Sequence, residues 1–170
     1  MSKIKNPGAI AAVQKEVEGL KSQIIGMGDK LWTIAELSLQ EEESASYLIG
    51  ELQDNDFNID SVGTSNIPTA FTASYGSGSP VIGIMTEYDA LPDLGQEPVA
   101  EKTPRKDGKT TGHGCGHNLI GAGGVGAAIA LKNWMKAENI PGTIRVFGAA
   151  AEEAEGAKIY MARDGEFNGL

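Results

Sequence analysis

His113, Cys115 and His117 are the two histidines and the one cysteine of this chain, and they fall within five residues, in Gly112-His-Gly-Cys-Gly-His-Asn118. Thiolate and imidazole are the side chains best suited to soft and borderline metals. At a spacing of two, all three point the same way if the backbone is extended. The intervening glycines let the backbone come close to whatever is bound. A buried thiol beside two loop imidazoles is the plainer reading, but it leaves the clustering unexplained. A metal held by thiolate, imidazole and carboxylate explains it, with zinc, manganese or cobalt as the candidates.

Carboxylates that could complete such a site come from two other places. Glu152 and Glu153 follow an apolar run that ends in Ala149-Ala-Ala151. One of them can complete the coordination while the other stays free as a base that takes a proton from water. Taken alone, the pair reads as a solvated acidic turn. Asp89 follows a second apolar run, in Glu87-Tyr-Asp-Ala-Leu-Pro92. It is placed either to orient a ligand imidazole or to form the turn before Leu91-Pro92.

The positioning elements can be read from periodicity. Ile10, Val13, Val17, Leu20, Ile24, Met27, Leu31 and Ile34 recur at steps of three and four, one apolar stripe along a long helix. A coiled coil would use the same stripe, although packing within the domain suits it better. Glu41 to Gln53 reads as a second helix with Ala45, Leu48 and Leu52 on one face. Ala70 to Tyr75 and Pro80 to Met85 read as strands joined by a glycine-rich turn, hence a hairpin, the second being apolar enough for a central strand. A long polar stretch including Glu97 to Thr111 follows, of the kind that is functional or mobile. Leu119 to Ala137 reads as an alanine-rich helix, Thr143 to Ala149 as a third strand, and Ala157 to Arg163 as another helix. Strand, crossover helix and strand imply a parallel pair in an α/β sheet. Functional groups in such sheets gather beyond the carboxyl ends of the strands. Asp89, the His/Cys cluster and Glu152-Glu153 are all expected there.

Gly121-Ala-Gly-Gly-Val-Gly126 matches a dinucleotide fingerprint. The residues before it are polar and glycine-rich where an apolar strand is required. Close packing of a helix on the sheet is the better account.

Composition excludes several classes. The 170 residues carry a net charge of −9, and 41% are hydrophobic. That is one domain with a real core and no basic patch for nucleic acid or an anionic membrane. Met1-Ser-Lys-Ile-Lys-Asn-Pro7 has no apolar stretch of a secretory leader, and one cysteine forms no internal disulfide. The expected location is the cytoplasm.

Glu87 to Pro92, Gly112 to Leu119, and Ala151-Glu-Glu153 with Gly156-Ala-Lys-Ile-Tyr-Met161 behind it occur in an order that resembles the metal-dependent amidohydrolases and peptidases. This is the family of aminoacylase and carboxypeptidase G, and the likeness is nearest to its aminobenzoyl-glutamate hydrolases. It runs over essentially the whole chain. The resemblance implies an α/β catalytic domain, a three-layer α/β/α sandwich with a mixed, partly parallel sheet, holding two ions of zinc or manganese. Carried over by position, Cys115, His117 and Glu153 are metal ligands, Glu152 is the general base, and Asp89 positions a ligand. The implied reaction is hydrolysis of the amide bond of an N-acyl amino acid or dipeptide-like substrate such as aminobenzoyl-glutamate.

Asn118 stands where the wider family more often has an acid. Family members run much longer and take further ligand histidines downstream, whereas no histidine follows His117. Residues 1–170 are therefore expected to be the amino-terminal part of a catalytic domain, without the lid that makes the homodimer, and inactive alone. The alternative is a non-catalytic metal-binding or interaction module.

Overall fold

The computed structural model describes residues 7–170. Four strands form one mixed sheet in the order β1-β2-β4-β3: Asn58–Val62 (β1), Phe71–Ser77 (β2), Val81–Thr86 (β3) and Gly142–Gly148 (β4). β1 and β2 are antiparallel, as are β2 and β4, whereas β3 and β4 are parallel. The helices are Pro7–Gly19 (α1), Lys21–Ile34 (α2), Glu42–Asp54 (α3), His117–Glu138 (α4) and Ala157–Asp164 (α5).

The expected single long helix is two. The chain breaks at Leu20, between α1 and α2. Met27, Leu31 and Ile34 of α2 are buried, while Ile10 and Val17 of α1 stay exposed. The apolar stripe therefore faces the core only along its second half. α3 buries Ala45, Leu48 and Leu52 as its period requires. Its first amide groups find an acceptor outside the helix: the Glu36 carboxylate accepts from the N–H of Glu43 and from both the N–H and hydroxyl of Ser44.

The expected hairpin is absent. β4 lies between β2 and β3, so β3 is an edge strand and not a central one. Gly78 in the connection and Gly76 near the end of β2 both have positive φ. The connection's carbonyls are taken by β4: Thr143 donates its N–H to Pro80 O at 2.9 Å and its hydroxyl to Gly78 O at 2.8 Å. The turn thus straddles an inserted strand where a hairpin would close on itself. β1 carries little strand signal, because Asn-Ile-Asp-Ser-Val is short and its apolar residues, Ile59 and Val62, are three apart and break the period of two.

α4 is the crossover between the parallel strands β3 and β4, as expected. It packs on the face to which Ile144 and Val146 point, both fully buried. The opposite face is covered by the segment after α5: Phe167 meets Phe147 edge-on with centroids 5.0 Å apart, and Arg145 Nη1 donates to Glu166 O at 2.7 Å. The glycines of the false dinucleotide motif lie inside α4. A Cβ on Gly121 would come within 2.8 Å of Glu87 O, and one on Gly124 within 2.6 Å of Thr86 Cγ2. Bare backbone lets the helix approach the end of β3.

The long polar stretch is anchored to α2. Buried Arg105 donates from Nη1 to Trp32 O at 2.8 Å and from Nη2 to Thr33 O at 2.9 Å, and lies over the Trp32 ring. Lys109 Nζ donates to Ile34 O at 2.7 Å, and the Thr111 hydroxyl to Ala35 O at 2.5 Å. Cations and hydroxyls therefore satisfy the last carbonyls of α2 and oppose its dipole.

Candidate metal centre

The carboxyl ends of β3 and β4 lie side by side, and the ladder continues past them through the Ala149 N–H to Thr86 O at 2.8 Å. Glu87 and Asp89 leave the end of β3. Glu152 and Glu153 leave the end of β4. Cys115 and His117 arrive at the start of α4, on the same edge. Positive φ at Gly116 turns the chain into the helix, so His117 is already helical. The three residues of the His/Cys cluster consequently do not share one direction. His113 points away and pairs its Nε2 with Leu31 O at 3.0 Å.

His117 is the hub. Its buried ring sets Nδ1 2.8 Å from Asp89 Oδ1. Asp89 is buried as well, and its Oδ2 accepts from the Ser38 hydroxyl at 2.8 Å and the Glu153 N–H at 2.9 Å. Burial pushes the Asp89 carboxyl up, but the hydrogen bonds from His117, Glu153 and Ser38 outweigh it and hold the carboxyl below its ordinary value. The same Asp89 bond raises His117. With Nδ1 engaged, Nε2 faces a ring of carboxylates: Glu87 at 3.3 Å, Glu152 at 3.6 Å and Glu153 at 3.9 Å. Among the described residues, the one cation paired with them is Lys158 of α5, which pairs with Glu87 and lies 3.7 Å from Glu152.

Two overlapping ligand sets follow. Donor atoms of Cys115, His117 and Glu153 lie within 4.8 Å of one another, and so do those of Glu87, His117 and Glu152. A divalent cation fits the first set on three observations. Glu153 Oε1 is buried without a hydrogen-bond partner among the described residues. His117 presents Nε2 to the carboxylates of Glu87, Glu152 and Glu153. The donors are sulfur, nitrogen and oxygen, the combination zinc accepts. The Cys115 thiol is held above its ordinary value, chiefly by its hydrogen bond to the Glu153 carboxylate beside it.

The structure thus brings together all five residues predicted from sequence, Asp89, Cys115, His117, Glu152 and Glu153. It adds Glu87, Ser38 and Lys158. Glu87 and Lys158 sit inside the motifs already singled out, and their charge was the available signal. Ser38 offered none, because nothing local ties it to a strand end 51 residues away.

The class is that of a mixed α/β sheet that gathers a thiol, an imidazole and carboxylates at the ends of its parallel strands. Residues 83–169 match peptidase family M20/M25/M40, and the chain belongs to that family. It is 37% identical over 157 residues to one of the subunits of p-aminobenzoyl-glutamate hydrolase of Escherichia coli, a match covering 92% of this chain and 32% of that protein. It is 29% identical to N-acetyl-L-cysteine deacetylase of Bacillus subtilis, over 89% of this chain and 35% of that protein. Among solved structures, a dinuclear metal-binding peptidase of the M20 family from Bacillus subtilis superposes with a TM-score of 0.73 at 29% identity, covering 90% of this chain and 41% of that one. The chain spans about a third of the length of these curated relatives.

Proposed function

We propose that residues 1–170 are the amino-terminal part of the catalytic domain of a metal-dependent amidohydrolase that cleaves N-acyl amino acids or dipeptide-like substrates such as aminobenzoyl-glutamate. The observation that carries the reading is the convergence of Cys115, His117 and Glu153 around one point with Glu152 beside it. The relatives' names, a hydrolase of aminobenzoyl-glutamate and an N-acetyl-cysteine deacetylase, support the substrate class.

Cys115, His117 and Glu153 would hold a divalent cation, zinc or manganese, one of two in the complete site. Bound there, the ion supplies Lewis-acid polarisation of an amide carbonyl and of a water. Asp89 holds the His117 ring by Nδ1 and so presents Nε2. Glu152 is exposed enough to meet solvent and close enough to Nε2 to take the water proton, then return it to the leaving amine. Lys158 occupies Glu87 and keeps that carboxylate from competing as a ligand. A lid beyond these residues, with the dimer it makes, would close over the substrate. A free thiolate ligand suits a reducing compartment, which favours the cytoplasm.

The test is the metal content of the purified chain by elemental mass spectrometry, beside Cys115→Ser. Near-stoichiometric metal lost in the variant is the expected result. Metal retained in Cys115→Ser would overturn the ligand set. On the longest reading frame, failure to hydrolyse aminobenzoyl-glutamate and N-acetyl amino acids would overturn the substrate class and favour a non-catalytic module.

A further inference from the structure

Glu41 stands just before α3, far from the metal donors in sequence, and its side chain is fully buried. A buried carboxylate is costly unless its lone pairs are satisfied. Here each oxygen accepts one bond. Oε2 accepts from the Thr69 hydroxyl at 2.7 Å, and Oε1 accepts from the Ala151 N–H at 2.7 Å. The Ala151 N–H can only donate, whereas the Thr69 hydroxyl can donate or accept, and burial raises the Glu41 carboxyl above its ordinary value. Thr69 is held in turn by Tyr88, whose hydroxyl donates to Thr69 O at 2.7 Å.

Ala151 lies three residues beyond the end of β4 and directly precedes Glu152 and Glu153. It adopts φ 53°, a left-handed conformation that an L side chain disfavours. Its carbonyl accepts from Gly156 N–H at 2.6 Å, while its N–H goes to Glu41. Two residues on, the Glu153 N–H goes to Asp89. The candidate base Glu152 therefore sits between two backbone amides, each gripped by a buried carboxylate from a different part of the chain.

We infer that Glu41 is a positioning residue of the hydrolytic site: its carboxylate fixes the turn at Ala151 and thereby aims Glu152 and Glu153 at His117. This role rests on the metal-hydrolase reading for its purpose, but the holding of the turn stands apart from it. Thr69 supplies the contrast. Its bond to Glu41 ties α3 to the sheet without touching Ala151, so a merely structural Glu41 and Thr69 would behave alike.

The experiment uses the full chain labelled with 15N, in wild type, Glu41→Gln and Thr69→Ala. Amide hydrogen exchange is followed at Ala151, Glu152 and Glu153, with Ile144 and Val146 of β4 as internal reference. Cobalt is then titrated and read by thiolate-to-cobalt absorption. Glu41→Gln keeps the shape and weakens the acceptor. It is expected to speed exchange at Ala151 about five- to tenfold beyond any change in β4. Cobalt affinity should fall about 10- to 100-fold. Thr69→Ala should do neither beyond its effect on global stability. Exchange at Ala151 that moves only with β4 in Glu41→Gln, or an identical pattern in Thr69→Ala, overturns the role. Absence of cobalt binding in wild type overturns the proposed function instead, and the exchange pattern alone then decides for or against Glu41.

Discussion

Asp89 shows how one side chain can organise a site it does not complete. Its Oδ1 faces His117 Nδ1, while its Oδ2 receives two donors, Ser38 and the Glu153 N–H. Replacing Asp89 by Asn keeps the volume but gives one of these positions an amide NH2. If the NH2 takes the Oδ2 position, the Ser38 hydroxyl can rotate to accept, but the Glu153 N–H cannot. If it takes the Oδ1 position, it forces the other tautomer on His117 and turns Nε2 into a donor. Either outcome damages the donor set, and Asp89→Asn is expected to weaken cobalt binding about 10- to 100-fold, measured by competition with a chromophoric chelator. Unchanged affinity would remove Asp89 from the site's support. The candidate donors could be picked out in the sequence because residue type and clustering are local information. Their aim could not. His113 shares the motif but faces Leu31 O, while Gly116 turns the chain into the helix that starts at His117.

At the scale of elements, α3 was legible from its apolar period and α4 from an alanine-rich run ended by Pro141-Gly142, α5 was expected over Ala157 to Arg163, and the parallel β3–β4 pair followed from the crossover between them. The strand order was not. Local sequence marks a turn between β2 and β3, but only the Thr143 contacts to Pro80 and Gly78 reveal that a third strand fills the gap. The loop after β3 was expected to be functional or mobile; its bonds to the carboxyl end of α2 are long-range and leave no local mark. Arg105 is the test of that anchoring. Arg105→Ala removes charge-assisted bonds to two carbonyls and a contact with Trp32, and is expected to cost about 1–3 kcal/mol in urea unfolding. Asp107 gives the same anchor a pH signature. Arg105, hydrogen-bonded to it, lowers its carboxyl to about 2. A depressed carboxyl stabilises the fold above its ordinary value, and that share is lost as pH falls through the folded value. Asp107→Asn should therefore flatten the decline in melting temperature between about pH 4 and pH 2. A decline as steep as wild type would mean the pair adds nothing. Gly121 makes the complementary case for close packing. Alanine there gains about 1 kcal/mol of helix propensity, but its Cβ would meet the Glu87 carbonyl at 2.8 Å, and Leu31 at 3.1 Å. Crowding of this kind costs about 1–3 kcal/mol, and backbone cannot yield as a side-chain tip can. Gly121→Ala should unfold at lower urea, and stabilisation by the variant would show that α4 has room to move.

Over the whole molecule, the sheet is asymmetric in a way that bears on its association. β4 is paired on both sides, whereas β3 has a neighbour on one side only among the described strands. An apolar strand with an open row of N–H and C=O groups is a template for another strand. β3 is such a strand, and Ile82 is 45% exposed on it. The net charge of −9 opposes self-association at low ionic strength, but salt screens that repulsion and leaves the edge untouched. The chain is therefore expected to associate through β3 as salt rises, the opposite of an association held by ion pairs. Ile82→Lys tests this. A lysine on an edge strand discourages pairing, and at a half-exposed position it should change stability by about 0.5 kcal/mol or less. Sedimentation velocity at low and high salt should show the wild type gaining larger species with salt and the variant staying monomeric, at matched melting temperatures. Association that persists in Ile82→Lys would move the contact away from β3, to the exposed apolar residues at the start of α4, Leu119 and Ile120, which border the metal donors and would tie association to the site itself.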